Sequence, residues 1–325
     1  MRIVVTGSVA YDYIMVFPGH FKDHILPDKM HILSVSFLVE SMKRQRGGTA
    51  PNIAYNLALL GERPTVMATV GEDFAEYRLW LDEQGVATGA IKPVPGEFTS
   101  SCFINTDLSD NQITAFYPGA MSHAHTLSFR AEELLDTDLA IIAPNDPLAM
   151  GRYAAECQEL GIPYLYDPSM QAPRMSADEL RAGLVGARIF TGNDYEFGMM
   201  ADKLGVSEEE LRAMVPITVV TKGDQGASIY VEGEEFAIPA ARPHKVVDPT
   251  GAGDAFRAGL VKGMVHKLPW EVVGRIASLS AVYAIEHAGT QQHHYTLPAF
   301  VERYRQNFGR SPEIEALLET PRVAA

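Results

Sequence analysis

The sequence predicts an α/β fold with a mainly parallel central sheet. Two observations carry this. Short β-branched runs recur along the 325 residues, and most are followed by a segment of helical period. A third observation complicates it: two stretches, 11–39 and 99–117, carry strand patterns with no useful helix between them.

Taken in order, strands are predicted at 3–6, 65–70, 139–143, 164–166, 188–191 and 217–221. A helix over 52–60 places Ile53, Leu57 and Leu60 on one face and stops at Gly61. The helix over 147–160 stops likewise at Gly161. That over 207–214 starts with Ser207 and Glu210 in capping-box spacing. Further helices are expected over 254–265, 269–287 and 297–308, and the tail 311–325 is either a last helix or a frayed end. In 11–39 the runs IMVF and LSVSFLV read as strands. In 99–117, SCFINT and QITAFY flank the turn LSDN and read as a hairpin. These strands form either a small separate sheet or an antiparallel edge of the main one.

Composition bounds the function. Hydrophobic residues make up 46% of the chain, enough for one large core. A net charge of −14 argues against nucleic acid or an anionic membrane as the main partner. Cys102 and Cys157 are isolated and form no disulfide framework or metal spacing, which suits a reducing cytoplasm. The start, MRIVVTGSVAYD, lacks the pattern of a signal peptide, and no run approaches the ~18 apolar residues of a membrane span. The expectation is a cytoplasmic protein.

The stretch VVDPTGAGDAFRAG at 246–259 carries the chemistry. Pro249 is expected to stop a preceding strand. Gly251 and Gly253 permit positive φ and close approach of a ligand. The free amides at the start of the following helix attract an anion. Asp254 then has two readings: an acid favoured by the helix dipole, or a base beside a transferring phosphoryl group. Neither the Walker A nor the dinucleotide glycine pattern fits. Adjacent His293 and His294 diverge and make a poor metal pair. His123 and His125 would share a face of an extended strand, without a further ligand.

DPTGAGDAFRAG resembles the C-terminal signature of the ribokinase-like (PfkB) carbohydrate kinases. RQRGGTAPNIAYNLALLG at 44–61 resembles their N-terminal signature. GSVAYD at 7–12, TGNDYE at 191–196 and VTKGDQGA at 220–227 resemble further motifs in the same order, so the likeness runs from about residue 3 to about 290. It implies a ribokinase-like three-layer sandwich with a small β-sheet lid. The lid would come from insertions at about 12–45 and 97–120 in a single domain, 1–325. It implies that Asp254 deprotonates the acceptor hydroxyl and that Gly251, Ala252 and Gly253 form an anion hole for the γ-phosphoryl group. Asp12 and Asn52 would hold sugar hydroxyls, with Gly47 and Gly48 closing the backbone on them. Asn193, Thr221 and Gly223 would serve ATP, with Lys222 either near phosphate or solvated. Glu196 would hold waters of Mg²⁺, and Asp248 and Thr250 a monovalent cation such as K⁺.

The acceptor is open between nucleosides and sugars of the ribose or fructose type. QITAFYPGAM at 112–121 and IIAPNDPLAM at 141–150 resemble stretches of prokaryotic nucleoside (adenosine) kinases. Phe103, Phe116 and Tyr117 offer rings for a purine, and few basic residues flank the acceptor motifs. The resemblance therefore implies ATP-dependent phosphorylation of a ribonucleoside 5′-hydroxyl, with adenosine the first candidate. Its lid implies a monomer or a lid-mediated homodimer. A non-catalytic sensor of nucleoside or sugar is disfavoured, because it has no need of the base.

Overall fold

A computed structural model describes residues 1–25 and 31–319. The strands, in chain order, are β1 Ile3–Thr6, β2 Ala10–Val16, β3 Ser41–Gly47, β4 Thr65–Val70, β5 Ile91–Pro93, β6 Ser100–Thr106, β7 Gln112–Tyr117, β8 Leu139–Ile142, β9 Tyr164–Tyr166, β10 Ile189–Asn193, β11 Ile217–Thr221, β12 Ala227–Val231 and β13 Glu234–Ile238. The helices are α1 Thr49–Leu59, α2 Ala75–Glu83, α3 Pro147–Leu160, α4 Ala177–Leu184, α5 Asp194–Leu204, α6 Glu208–Ala213, α7 Ala252–Val265, α8 Trp270–Ile285, α9 Leu297–Phe308 and α10 Pro312–Glu319. Residues 320–325 of the predicted tail lie outside the described residues.

Among the described residues the main sheet has nine strands in the order β13-β12-β11-β10-β9-β8-β1-β4-β5. The pairs from β11 through β5 are parallel, and β12 and β13 add an antiparallel edge. Both faces are covered. In β1, Ile3 and Val5 join one core with Ile53, Leu57, Leu260 and Val273, while Val4 joins the other with Tyr153, Leu180 and Phe197. That split follows from alternate side chains pointing to opposite faces, and it makes three layers. Helix ends carry the expected devices. Asp146 caps α3 by accepting from Ala149 N, and Gly161 ends it at φ 69°. Ser207 and Glu210 form the predicted capping box of α6. No described helix is long and apolar enough to cross a membrane.

The second sheet is separate, in the order β3-β2-β6-β7. The hairpin of β6 and β7 forms as expected. Its other half differs from expectation. LSVSFLV forms no strand; Phe37 packs against Phe17 and Phe21, while Leu38 is exposed. The edge of β2 that it would need is taken by the polar run SMKRQRG, paired Ala10↔Gly47 through Val16↔Ser41, and β6 takes the other. Val246 and Val247 likewise lie outside any strand, so Pro249 terminates none. The amides of Val247 and Asp248 instead donate to the carbonyl of Ile285, the last residue of α8.

Candidate active site

The C-terminal ends of β1, β8, β9, β10 and β11 open toward one side, where α7 also begins. Gly251 precedes α7 at φ 83°, a left-handed conformation that L side chains rarely adopt. The Ala252 amide donates to Pro249 O at 3.2 Å and closes the turn. Gly253 lies inside the helix, so its expected positive φ is not needed. What the position requires is room, since a Cβ there would meet Arg257 Nη1 at 2.7 Å. Asp254 follows in the first turn, buried. Its Oδ2 accepts from Asn52 Nδ2 at 2.9 Å, and its Oδ1 lies 3.5 Å from Arg257 Nη1. Burial pushes its carboxyl up, while the Arg257 charge and the Asn52 amide pull it back.

On the small sheet, Asp12 sits on β2 in a row with Gln45 of β3, Cys102 of β6 and Phe116 of β7. Cross-strand partners share a face, so Phe116 shares that of Asp12. Phe103 and Tyr117 do not. Phe103 is partnered with Tyr13 and stacks on it at 4.9 Å, and Tyr117 bonds Glu97. A side chain on Gly47 would put its Cβ 2.5 Å from Asp12 Oδ2. One on Gly48, at φ 96°, would strike Ser8 O. Burial raises the Asp12 carboxyl to about 6, helped by the Asp248 charge.

Asn52 joins the two sides. Its Oδ1 accepts from Gln291 Nε2 at 2.7 Å, and the same nitrogen reaches Tyr77 Oη at 2.6 Å. Tyr77 Oη in turn donates to Gly47 O at 3.0 Å. Gln291 thereby fixes the Asn52 amide with its donor end toward Asp254. Gln45 and Gln291 are absent from the expected set: each sits in a polar run whose spacing matches no chemical pattern.

At the ends of β10 and β11, Asn193 and Thr221 are direct partners across the two strands. Asn193 caps α5 in a reciprocal box with Glu196, so the capping reading holds. Gly223 opens the turn into β12 at φ 58°. Lys222 Nζ donates across that turn to Ser228 Oγ on β12 at 2.6 Å. Glu196 Oε2 accepts from the Asn193 amide and its Oε1 from Ser169 Oγ. Asp248 accepts from the amides of Thr250 at 2.9 Å and Gly289 at 3.0 Å. The histidines take structural places. His123 and His125 lie in the 3-10 segment Gly119–Thr126 rather than a strand. His293 is buried, bonds Asn56 Oδ1, and is pushed down to about 4 by burial. Among the described residues no three His, Cys, Asp or Glu form a cluster suited to a metal.

A left-handed glycine turn into a helix mouth, with a buried carboxylate able to take a proton from a hydroxyl, is the equipment of a phosphotransferase acting on alcohols. The chain does belong to that class. Residues 2–296 match the pfkB family carbohydrate kinases, and the protein is a member of that family. It is 30% identical over 315 residues to a nucleoside kinase of Methanothermobacter thermautotrophicus, covering 96% of this chain and 98% of the relative. It also resembles the nucleoside kinase of Burkholderia thailandensis. The structure with inosine superposes with a TM-score of 0.84 at 38% identity, covering 95% of this chain and 99% of that one. The structure with ADP-inosine gives 0.83 at 39%, covering 95% and 97%.

Proposed function

We propose that this kinase transfers the γ-phosphoryl group of ATP to the 5′-hydroxyl of a purine ribonucleoside. Adenosine is the acceptor expected from the sequence, and inosine joins it because the Burkholderia relative holds it. The observation that carries the reading is Asp254, buried at the mouth of α7 and oriented by Asn52. Asp254 accepts the proton of the 5′-hydroxyl as its oxygen attacks. Amides at Gly251 and Gly253 donate to the phosphoryl oxygens, and that of Ala252 joins them from the turn it closes on Pro249 O. Asp12 accepts hydrogen bonds from two ribose hydroxyls, a task suited to an ionised carboxylate. Phe116 offers its ring to the base. Asn193, Thr221 and Gly223 line the ATP side.

Both oxygens of Glu196 are already engaged by Asn193 N and Ser169, which fits contact with Mg²⁺ through water rather than directly. Magnesium there would neutralise phosphate charge. Asp248, oriented by two backbone amides, has the hard oxygen donors that suit K⁺, with Thr250 beside it. The chain acts as one kinase unit, and the small sheet is its lid, excluding water during transfer.

The test is a phosphorylation screen with Mg-ATP against adenosine, inosine, other ribonucleosides, ribose and fructose. Purine ribonucleosides should give the highest kcat/KM; preference for ribose or fructose would overturn the acceptor. Asp254→Asn should keep nucleoside affinity and lose about three powers of ten in kcat. Near-normal turnover would remove Asp254 as the base.

A further inference from the structure

Arg257 has no part in the roles above, yet it stands at the centre of the site. It lies one helical turn beyond Gly253 and Asp254, and its side chain is 10% exposed. Its Nε is ion-paired with Asp167 Oδ2, on a residue with no exposure at all. Its Nη1 faces Asp254 Oδ1 at 3.5 Å, and its Nη2 donates to Ser169 Oγ at 3.1 Å. Ser169 Oγ then donates to Glu196 Oε1 at 3.1 Å. One guanidinium thus touches, directly or through one hydroxyl, the carboxylates on both sides of the reaction.

Its anchor is rigid. Asp167 directly follows β9, and its amide donates to Ile142 O on the neighbouring strand β8 at 3.0 Å. The missing side chain of Gly253 leaves the space that Nη1 fills. Stability alone is a poor reason for the arrangement, since a buried ion pair is often no better than an apolar pair of the same volume. Lysine would not serve equally, because only a planar fork reaches three partners at fixed angles.

We propose that Arg257, clamped by Asp167, is a positioning residue for phosphoryl transfer: it holds the Asp254 carboxylate in its attacking geometry and, through Ser169, keeps Glu196 in register with it. The inference rests on the reading of Asp254 as the base. The groups facing Asp254 are Arg257 on its own helix, Asn52 from α1 and the Asp167 charge beyond β9. Of these, Arg257 carries the positive charge. Removing it leaves burial to dominate, so Asp254 would take up its proton at a higher pH.

The experiment uses Arg257→Met combined with Asp167→Asn, which removes both buried charges together and protects the fold. It is compared with Arg257→Lys and Asp254→Asn in the full chain. The double variant should lose about a hundredfold in kcat, with KM for the nucleoside within about threefold. The acidic limb of its kcat profile should move up, because the Arg257 charge lies nearer to Asp254 than the Asp167 charge that is lost with it. Arg257→Lys keeps the charge and loses the fork. It should leave the limb in place and lose about tenfold in kcat; this variant decides the matter if the double one does not fold. Unchanged kcat and limb in the double variant, or a limb displaced as far by lysine as by methionine, overturns the proposal. If Asp254→Asn stays active, the base assignment itself has failed. If it is inactive while the Arg257 variants behave as wild type, only the role of Arg257 has.

Discussion

At the scale of single residues, the balance between burial and charge decides what each carboxylate does. Asp12 is the case with a readable titration. Burial lifts its carboxyl to about 6, and the nearby Asp248 adds to this. In the role proposed for it, the ionised form accepts from two hydroxyls, whereas the protonated form loses acceptor capacity. A ligand that needs the ionised form therefore binds well above pH 6 and progressively worse below it. Measured without ATP, the Kd of a ribonucleoside should rise by about tenfold for each pH unit below 6. A 2′,3′-dideoxy analogue should show a flat profile, and Asp12→Asn should flatten both. Parallel profiles for the two ligands in the wild-type protein would take Asp12 out of the diol site. Asp12 was legible in the sequence because GSVAYD resembles a known motif. Arg257, Asp167 and Gln291 were not, although Arg257 touches Asp254, Asp167 holds Arg257 and Gln291 touches Asn52. Asp167 and Gln291 act through contacts across the fold, the longer between residues 239 positions apart, which local spacing does not record; Arg257 stands one helical turn from Asp254, and no motif singled it out.

At the scale of elements, the placement of α7 sets the placement of Asp254, and a buried cluster fixes the far end of that helix. Glu62, just beyond α1, accepts from Lys262 Nζ at 2.7 Å and is 2.9 Å from His266 Nε2. The Lys262 side chain is 3% exposed. Burial works against the charge of Glu62, but His266 and Lys262 hold its carboxyl down at about 2. A carboxyl held below its ordinary value of 4.5 adds its full stability above that pH and loses it as the pH falls toward 2. Glu62→Gln should therefore destabilise the fold by about 3 kcal/mol at pH 7, since Lys262 loses its buried partner. The difference from wild type should shrink through the window from 4.5 to 2. Denaturation followed across pH checks this; a constant difference would mean that the pair contributes no charge-linked stability. Elements such as α1 and α7 were legible because they bury a continuous face. The strand β3 was not, because SMKRQRG is largely exposed at an edge and needs no apolar pattern. LSVSFLV misled for the converse reason: an apolar run becomes a strand only where an edge is free to pair with it.

At the scale of the whole molecule, the parallel order of the sheet brings five separated motifs to one end, as expected where open α/β sheets bind ligands. Three of them could be placed from sequence order, because they follow the buried strands β1, β10 and β11; the glycine pair at 47–48 ends the exposed β3, and DPTGAGD follows no strand. The second sheet was expected from the resemblance, but its strand order needed three dimensions, since β2 pairs with strands from both insertions. Its exposure makes a prediction about motion. All six residues of β7 are exposed, and Phe116, in the row of Asp12, is 49% exposed. A sheet so placed gains little from packing unless a ligand lies beneath it, so its backbone should open more readily than the main sheet. Adding a purine ribonucleoside should slow deuterium uptake over residues 100–117 by about tenfold or more, with uptake in β1, β8 and β10 unchanged. Phe116→Ala should keep the slow uptake of the main sheet and lose most of the ligand-dependent protection of β6 and β7. If nucleoside protects only the segment around Asp254, the small sheet is a fixed wall and its role as a lid is wrong. If it protects both sheets equally, the ligand stabilises the fold globally by mass action, and closure of one sheet over the other is not what the measurement reports.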